Sequence, residues 1–295
     1  MSSLSSRRIL PYLLVLPSIV VLVSLIIYPL GFSLVNSFRM WNLQTSPVPR
    51  GFVGFQNYLL VFKTTPFADA LRNTLILSIA GTFIEFWFGM GIALLLNSQL
   101  KGTNGARALL IMPTTIAPIV AGFLFRYMYY EKGGLITWLL TQVGFPVPIQ
   151  GILGSSKTAL AAIALADIWQ WTPFFALVLY AAMLAIPDDI IEAAVADGAT
   201  GLRMFAWITL PSVSRTAIII VMIRFMQLFN MFDLVLVLTR GGPGTASRTL
   251  SFNLYQEGLV NYNIGVAAAM TWLIVVIVTI LINAYARVAF RNWEW

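Results

Sequence analysis

The sequence predicts an all-α integral membrane protein with six transmembrane helices. Of the 295 residues, 59% are hydrophobic and only 10% charged, against about 25% charged in a soluble domain, and the mean hydropathy is +0.85. Apolar runs that suit spans of about 20 residues recur at about 9–35, 73–96, 107–129, 158–185, 213–238 and 265–288. Runs this long satisfy their backbone hydrogen bonds internally when they are helical. Little chain is left over for a soluble domain, so residues 1–295 read as a single membrane domain.

The first span follows Arg7-Arg8. Its apolar run is longer than a signal-peptide core of about 7–15 residues, and no small-residue cleavage site follows it, so it is expected to remain uncleaved. In the later spans, Pro113, Pro118 and Pro173 lie within apolar runs and are expected to bend or break them locally. Gly134 to Val143 reads as an amphipathic helix at the membrane interface. Leu238 to Gly244, rich in glycine, reads as a turn leaving the fifth span.

With six spans both termini share one side. Arg7, Arg8, Lys101, Arg107, Arg203, Arg215, Arg287 and Arg291 would lie inside. A similar number of basic residues falls in the longer outer loops. The positive-inside rule therefore supports this orientation only through the short basic termini and the short 97–106 loop, where it is most reliable. What decides for cytoplasmic ends is the resemblance described below.

Several chemistries are excluded by composition. The chain has no cysteine and no histidine, which removes disulfides, thiol nucleophiles, the usual triads and nearly all zinc sites. No metal ligands are assigned. Gly151 to Thr158 carries glycines and a Lys-Thr pair, but not at the spacing by which a P-loop cradles phosphates. ATP would therefore have to be hydrolysed on another subunit, and the chain is read as no enzyme. The net charge of +7 is scattered over loops and span ends, so it points to membrane lipid and not to nucleic acid. Paired carboxylates doing intramembrane catalysis would have to be Glu85 and Asp167, and nothing else in the sequence supports that reading.

The longest patterned polar interruption runs from Pro187 to Pro211. Asp188 and Asp189 suit a helix N-terminus, Glu192 to Asp197 is rich in alanine, the best helix former, and Gly198 suits a helix C-cap. Leu202, Phe205 and Ala206 resume helical spacing. Two short helices folded at a glycine are expected, outside the bilayer. Within them stand Glu192-Ala193-Ala194, three residues, Gly198, nine residues, Ile208, one residue, and Leu210-Pro211. This spacing resembles the EAA loop of the permease subunits of bacterial binding-protein-dependent ABC importers. Asp197-Gly198-Ala199 most resembles the carbohydrate branch that includes the maltose and glycerol-phosphate permeases, and Thr239-Arg240-Gly241-Gly242-Pro243 extends the likeness.

The resemblance implies a type I importer fold in the bacterial inner membrane, with residues 186–212 as a cytoplasmic coupling helix that docks on an ATPase subunit. Glu192, Ala193, Ala194, Asp197, Gly198, Ile208, Leu210 and Pro211 would carry that coupling. It also implies a second permease subunit, two ATPase subunits holding ATP and Mg, and an external substrate-binding protein. No cofactor would be bound by this chain.

Three charged residues fall well inside spans, where each costs about 2.5–3.5 kcal/mol even on a lenient scale. Arg224 lies about 17 Å into the fifth span and Asp167 about 14 Å into the fourth, at the helical rise of 1.5 Å per residue. The two thus sit at nearly one level, and Glu85 is near the middle of the second span. Asp167, Gln170, Trp171 and Phe174 share one helical face, as do Arg224, Gln227 and Met231. By resemblance to the maltose permease, Asp167, Gln170, Trp171, Arg224, Gln227, Leu228 and Met231 match sugar-contacting positions. Several of them are charged or bulky here, so the maltose contact pattern does not carry over. The substrate-path reading comprises Asp167, Gln170, Trp171, Arg224, Gln227 and Met231, with a sugar, glycoside or polyol derivative as cargo. Arg224 would be neutralised either by Asp167 or Glu85, or by an anionic group on the cargo. The competing class is a self-sufficient secondary transporter or channel. It would favour an inverted repeat with paired broken helices, and the sequence carries no second copy of any segment.

Overall fold

The computed structural model describes residues 3–98 and 103–290. Lys101 and Arg291 lie outside the described residues, as do the side chains of Arg7 and Arg8. In chain order the helices are α1 (Ser3–Leu22), α2 (Tyr28–Ser37), α3 (Gln56–Thr64), α4 (Phe67–Asn97), α5 (Thr103–Thr115), α6 (Pro118–Met128), α7 (Leu135–Gln142) and α8 (Gly151–Gly154). They continue with α9 (Ala159–Leu184), α10 (Asp188–Ala196), α11 (Leu202–Met204), α12 (Leu210–Phe229), α13 (Asp233–Leu238), α14 (Leu250–Tyr255) and α15 (Ile264–Ala289). Single π-helical turns join α1 to α2, join α11 to α12 and extend α14. Among the described residues there is no strand, only an isolated bridge between Arg39 and Phe52.

Five stretches are long and apolar enough to cross a membrane: Leu14–Ser37, Phe67–Asn97, Ala159–Leu184, Leu202–Leu238 and Ile264–Ala289. The sixth is a bent pair, Arg107–Thr115 and Pro118–Met128, which meet at 99°.

Two expected spans differ from straight helices. The run 107–129 breaks because Ala117 is extended (φ −61°, ψ 137°) ahead of Pro118, the conformation a following proline imposes. The run 213–238 stops at Phe229 and restarts at Asp233. Pro113 and Pro173, by contrast, lie inside unbroken helices.

The chain packs as two units. The first comprises Met1–Thr65 and Leu254–Ile277. There the Asn57 amide donates to the carbonyls of Ser37 and Arg39, both at 2.8 Å, which fixes the chain as it leaves α2. Phe38 gathers Phe52, Phe55 and Tyr58 around it. Gly265 at the start of α15 donates its amide to Trp41 O, and a β-carbon there would stand 2.6 Å from Arg39 O.

The second unit comprises Pro66–Asn253 and Val278–Trp295. Its axis is the pairing of α4 with α9. Gly89 allows that approach, since a β-carbon there would overlap Cβ of Phe175 and come within 3.0 Å of Ala176 N. α12 packs beside them, and Met90, Ala93, Phe175, Leu179, Met183, Val213, Ala217 and Ile220 form a shared apolar core. The Gly-Gly-Pro turn is held by Asn73 of α4, whose amide donates to Thr245 O at 2.9 Å and Arg248 O at 3.0 Å.

Candidate functional site

Two places in the second unit gather the chemistry: a hairpin at one end of α9 and α12, and a buried ionic cluster midway along them.

The hairpin begins with Pro187 as the residue before α10, and Asp188 and Asp189 fill the first helical turn, where acidic side chains complement the helix dipole. α10 ends in a complete Schellman arrangement. The Ala199 amide donates to Ala194 O and the Gly198 amide to Val195 O, each at 2.9 Å. Gly198 has φ +78°, and nothing stands within 4 Å of where its β-carbon would be. The glycine is therefore needed for its left-handed backbone, which costs other residues about 1–2 kcal/mol, and not for close approach. Glu192, Ala193 and Asp197 are exposed, while Ala194 is buried.

Beyond Gly201 the chain becomes helical again and does not stop before the fifth span. α11, the π-turn Phe205–Thr209 and α12 run on without a gap. The π-turn sits directly ahead of Pro211, where the missing N–H would otherwise interrupt a regular ladder. The expected second short helix is thus the root of the fifth span. Phe205 and Leu210 pack against the apolar core of α4, α9 and α12. Ile208 is half-buried and Pro211 exposed. The hairpin is therefore continuous with the helix that carries Arg224.

There, Arg224 of α12 is held by two carboxylates. Its Nε donates to Glu85 Oε2 at 2.8 Å and its Nη2 to Glu85 Oε1 at 3.0 Å, a bidentate grip. Nη2 also donates to Asp167 Oδ2 of α9. Glu85, Asp167 and Arg224 are all at most 4% exposed. The Arg224 guanidinium lies 4.7 Å from the ring centroid of half-buried Trp171, within cation–π range. A longer contact of 3.4 Å joins Nη1 to Gln227 Oε1. Two carboxylates thus face one guanidinium, and the charge of the arginine is matched inside the chain.

Of the residues assigned to a substrate path, Asp167, Arg224 and Trp171 meet in this cluster, and Gln227 reaches it from an exposed position. Gln170 is fully buried and turns to α5, its Nε2 donating to Ile116 O at 2.6 Å. Met231 is 8% exposed and sits in the break after α12, its carbonyl accepting from Thr249 Oγ1 at 3.0 Å. Glu85, outside that set, proves to be the main partner of Arg224. Its midspan depth was the available signal, but the 139-residue separation hid the pairing. Among the described residues there is no cluster of three or more acidic side chains that could hold a metal ion.

A helical membrane subunit with a mostly buried polar centre and an exposed hairpin at the root of a span is the fold of a type I ABC importer permease. The chain belongs to the family described as the binding-protein-dependent transport system inner membrane component, whose profile matches residues 4–293. It is 35% identical over 278 residues to the trehalose/maltose transport system permease protein MalF of Thermococcus litoralis, covering 92% of each chain. It is 32% identical over 279 residues to the sn-glycerol-3-phosphate transport system permease protein UgpA of Rhizobium meliloti, again covering 92% of each. Among solved structures, a bacterial ABC transporter involved in import of the acidic polysaccharide alginate superposes with a TM-score of 0.84 over 98% of both chains, at 22% identity.

Proposed function

We propose that this chain is the membrane subunit of an ATP-driven importer that carries a sugar, glycoside or polyol derivative into the cytoplasm by alternating access. It works with a second permease subunit, two ATPase subunits that hold ATP and Mg, and an external substrate-binding protein. It sits in the bacterial inner membrane with both termini in the cytoplasm. The observation that carries this reading is the continuity from exposed α10 through the glycine hairpin into α12. ATP-driven closure of the ATPase dimer would reach the membrane centre along that one rigid path.

The relatives' names support the carbohydrate class, and they span neutral cargo (trehalose, maltose) and anionic cargo (glycerol phosphate). Arg224 adds no demand for an anion, because Glu85 and Asp167 already match its charge and take three of its five N–H donors. A cargo contacting this region would meet exposed Gln227 and half-buried Trp171, a polar group beside an aromatic ring that suits a sugar.

Glu192→Lys tests the coupling assignment. The exposed reversal of charge should leave membrane insertion intact and reduce co-purification of the ATPase subunits at least tenfold. Retention of the ATPase subunits at wild-type stoichiometry would remove α10 as the docking element.

A further inference from the structure

We propose that α7 and the loop after it, residues 135–149, form a fixed apolar shelf that rests in the lipid of the outer leaflet; its placement on the outer side rests on the importer reading above. The segment 133–156 contains no charged residue, and exposed lysines, Lys132 and Lys157, stand at its two ends. Leu135, Trp138 and Leu139, at i, i+3 and i+4, share an exposed face of α7, while Thr137 is buried on the other side. The face turned away from the protein is thus the apolar one. Val143, Phe145 and Ile149 continue it along the loop, Val143 79% and Ile149 98% exposed.

The shelf is tied at both ends. A β-carbon at Gly134 would stand 2.5 Å from the carbonyls of Met128 and Tyr130, so α7 turns directly off the end of α6. α7 closes in a Schellman arrangement, the Phe145 amide donating to Leu140 O at 2.9 Å and the Gly144 amide to Thr141 O at 3.1 Å. Gly151 brings the loop back against Glu131, whose Cγ would lie 2.6 Å from a β-carbon there. Two contacts set the depth along α9. Gln170 Nε2 donates to Ile116 O, just before α6 and one turn from Asp167, and Tyr129 Oη donates to Ala162 O at 2.8 Å, at the far end of α6. From Gln170 to Ala162 is about 12 Å at the helical rise. The shelf therefore starts near the edge of a hydrocarbon core that extends about 15 Å to either side of its midplane.

A continuous apolar face left in water promotes association, so whatever covers this one has to stay. An external binding protein that delivers cargo has to leave again, and docking surfaces of that kind use charge to steer the encounter. This surface carries none between its two lysines. Exposed Tyr127, Tyr130 and Trp138 stand within a turn of the connection between α6 and α7. Such amphipathic rings gather where acyl chains meet head groups. Lys132 and Lys157 can extend from the two ends of the segment to the lipid phosphates. Phe123 and Leu124 of α6, also exposed, carry the apolar surface on toward mid-membrane.

The chain contains no cysteine, so a single nitroxide can be attached at Ile149→Cys in the assembled transporter, with partner subunits also cysteine-free, in phospholipid nanodiscs. Molecular oxygen concentrates among acyl chains, whereas a nickel chelate stays in water. The proposal requires oxygen to relax the label at least threefold more than the chelate, with no change when the binding protein is added. Equal, strong relaxation by both would overturn it by placing the shelf in water, and shielding of such a label by added binding protein would make it a docking surface. Exclusion of both reagents would overturn it in favour of cover by the sister permease. Val143→Cys gives the same reading if Ile149→Cys assembles poorly. Binding-protein-stimulated ATP hydrolysis by the same complexes reports on the importer reading separately, so its loss with lipid contact intact would count against that reading alone.

Discussion

Replacing Arg224 with glutamine removes the cation and leaves Glu85 and Asp167 facing each other without a partner. Both carboxylates are at most 4% exposed, and Glu85 loses a bidentate grip at 2.8 and 3.0 Å. Breaking a buried pair in this way costs about 3–5 kcal/mol, because the charges left behind remain desolvated. Replacing the whole cluster with neutral groups of similar shape is often neutral or stabilising by about 1–4 kcal/mol. The order of stability should therefore be Arg224→Gln lowest, then Glu85→Gln, then Asp167→Asn, which preserves the bidentate pair. The triple change Glu85→Gln, Asp167→Asn, Arg224→Gln should recover most of the loss. At about 2–4 °C per kcal/mol for a chain of this size class, the single arginine change should lower the unfolding midpoint by roughly 10 °C. Heating the purified complex in detergent and measuring the surviving monodisperse fraction reads this directly. An Arg224→Gln protein as stable as wild type, or a triple variant no better than the single, would refute the view that the arginine serves the two carboxylates.

Two further outcomes follow from the geometry. Gly198→Val forces a β-branched residue to φ +78°, a penalty of about 1–2 kcal/mol confined to the hairpin. Insertion and overall stability should hold while binding-protein-stimulated ATPase activity falls at least tenfold, and unchanged stimulation would show that the hairpin's shape is immaterial. Asn73→Ala removes two hydrogen bonds, to Thr245 O and Arg248 O, each worth about 1 kcal/mol. Amide exchange across residues 239–249 should then accelerate by about thirtyfold, and unchanged protection there would place the anchor of that turn elsewhere.

The parts legible in the sequence were those set by local chemistry. The acidic first turn, the alanine-rich stretch and Gly198 define α10 and its end from residues within a dozen positions of one another, and the structure places α10 at Asp188–Ala196. Hydropathy alone marked the apolar runs, which the structure forms into long helices or a bent pair. What escaped was decided by distant partners. Pro113, Pro118 and Pro173 look alike in an apolar run, yet only Pro118 coincides with a break, where the Gln170 amide from another helix takes the freed Ile116 carbonyl. The interruption after Phe229 contains neither proline nor glycine, and the Thr249 hydroxyl bonds the Met231 carbonyl across 18 residues. For Arg224, span depth brought Asp167 to the right level, but only the packing of α4 on α12 shows that Glu85 takes two of its donors.

The central claim is that this chain moves a carbohydrate derivative only as part of an ATP-driven assembly, and uptake by proteoliposomes tests it most directly. The chain is reconstituted with the sister permease, the two ATPase subunits and the binding protein, with radiolabelled trehalose, maltose and glycerol 3-phosphate offered in turn. The account predicts uptake of at least one of them that requires both ATP and the binding protein and is abolished by Glu192→Lys. Uptake by vesicles holding this chain alone, driven by an ion gradient and indifferent to ATP, would contradict it.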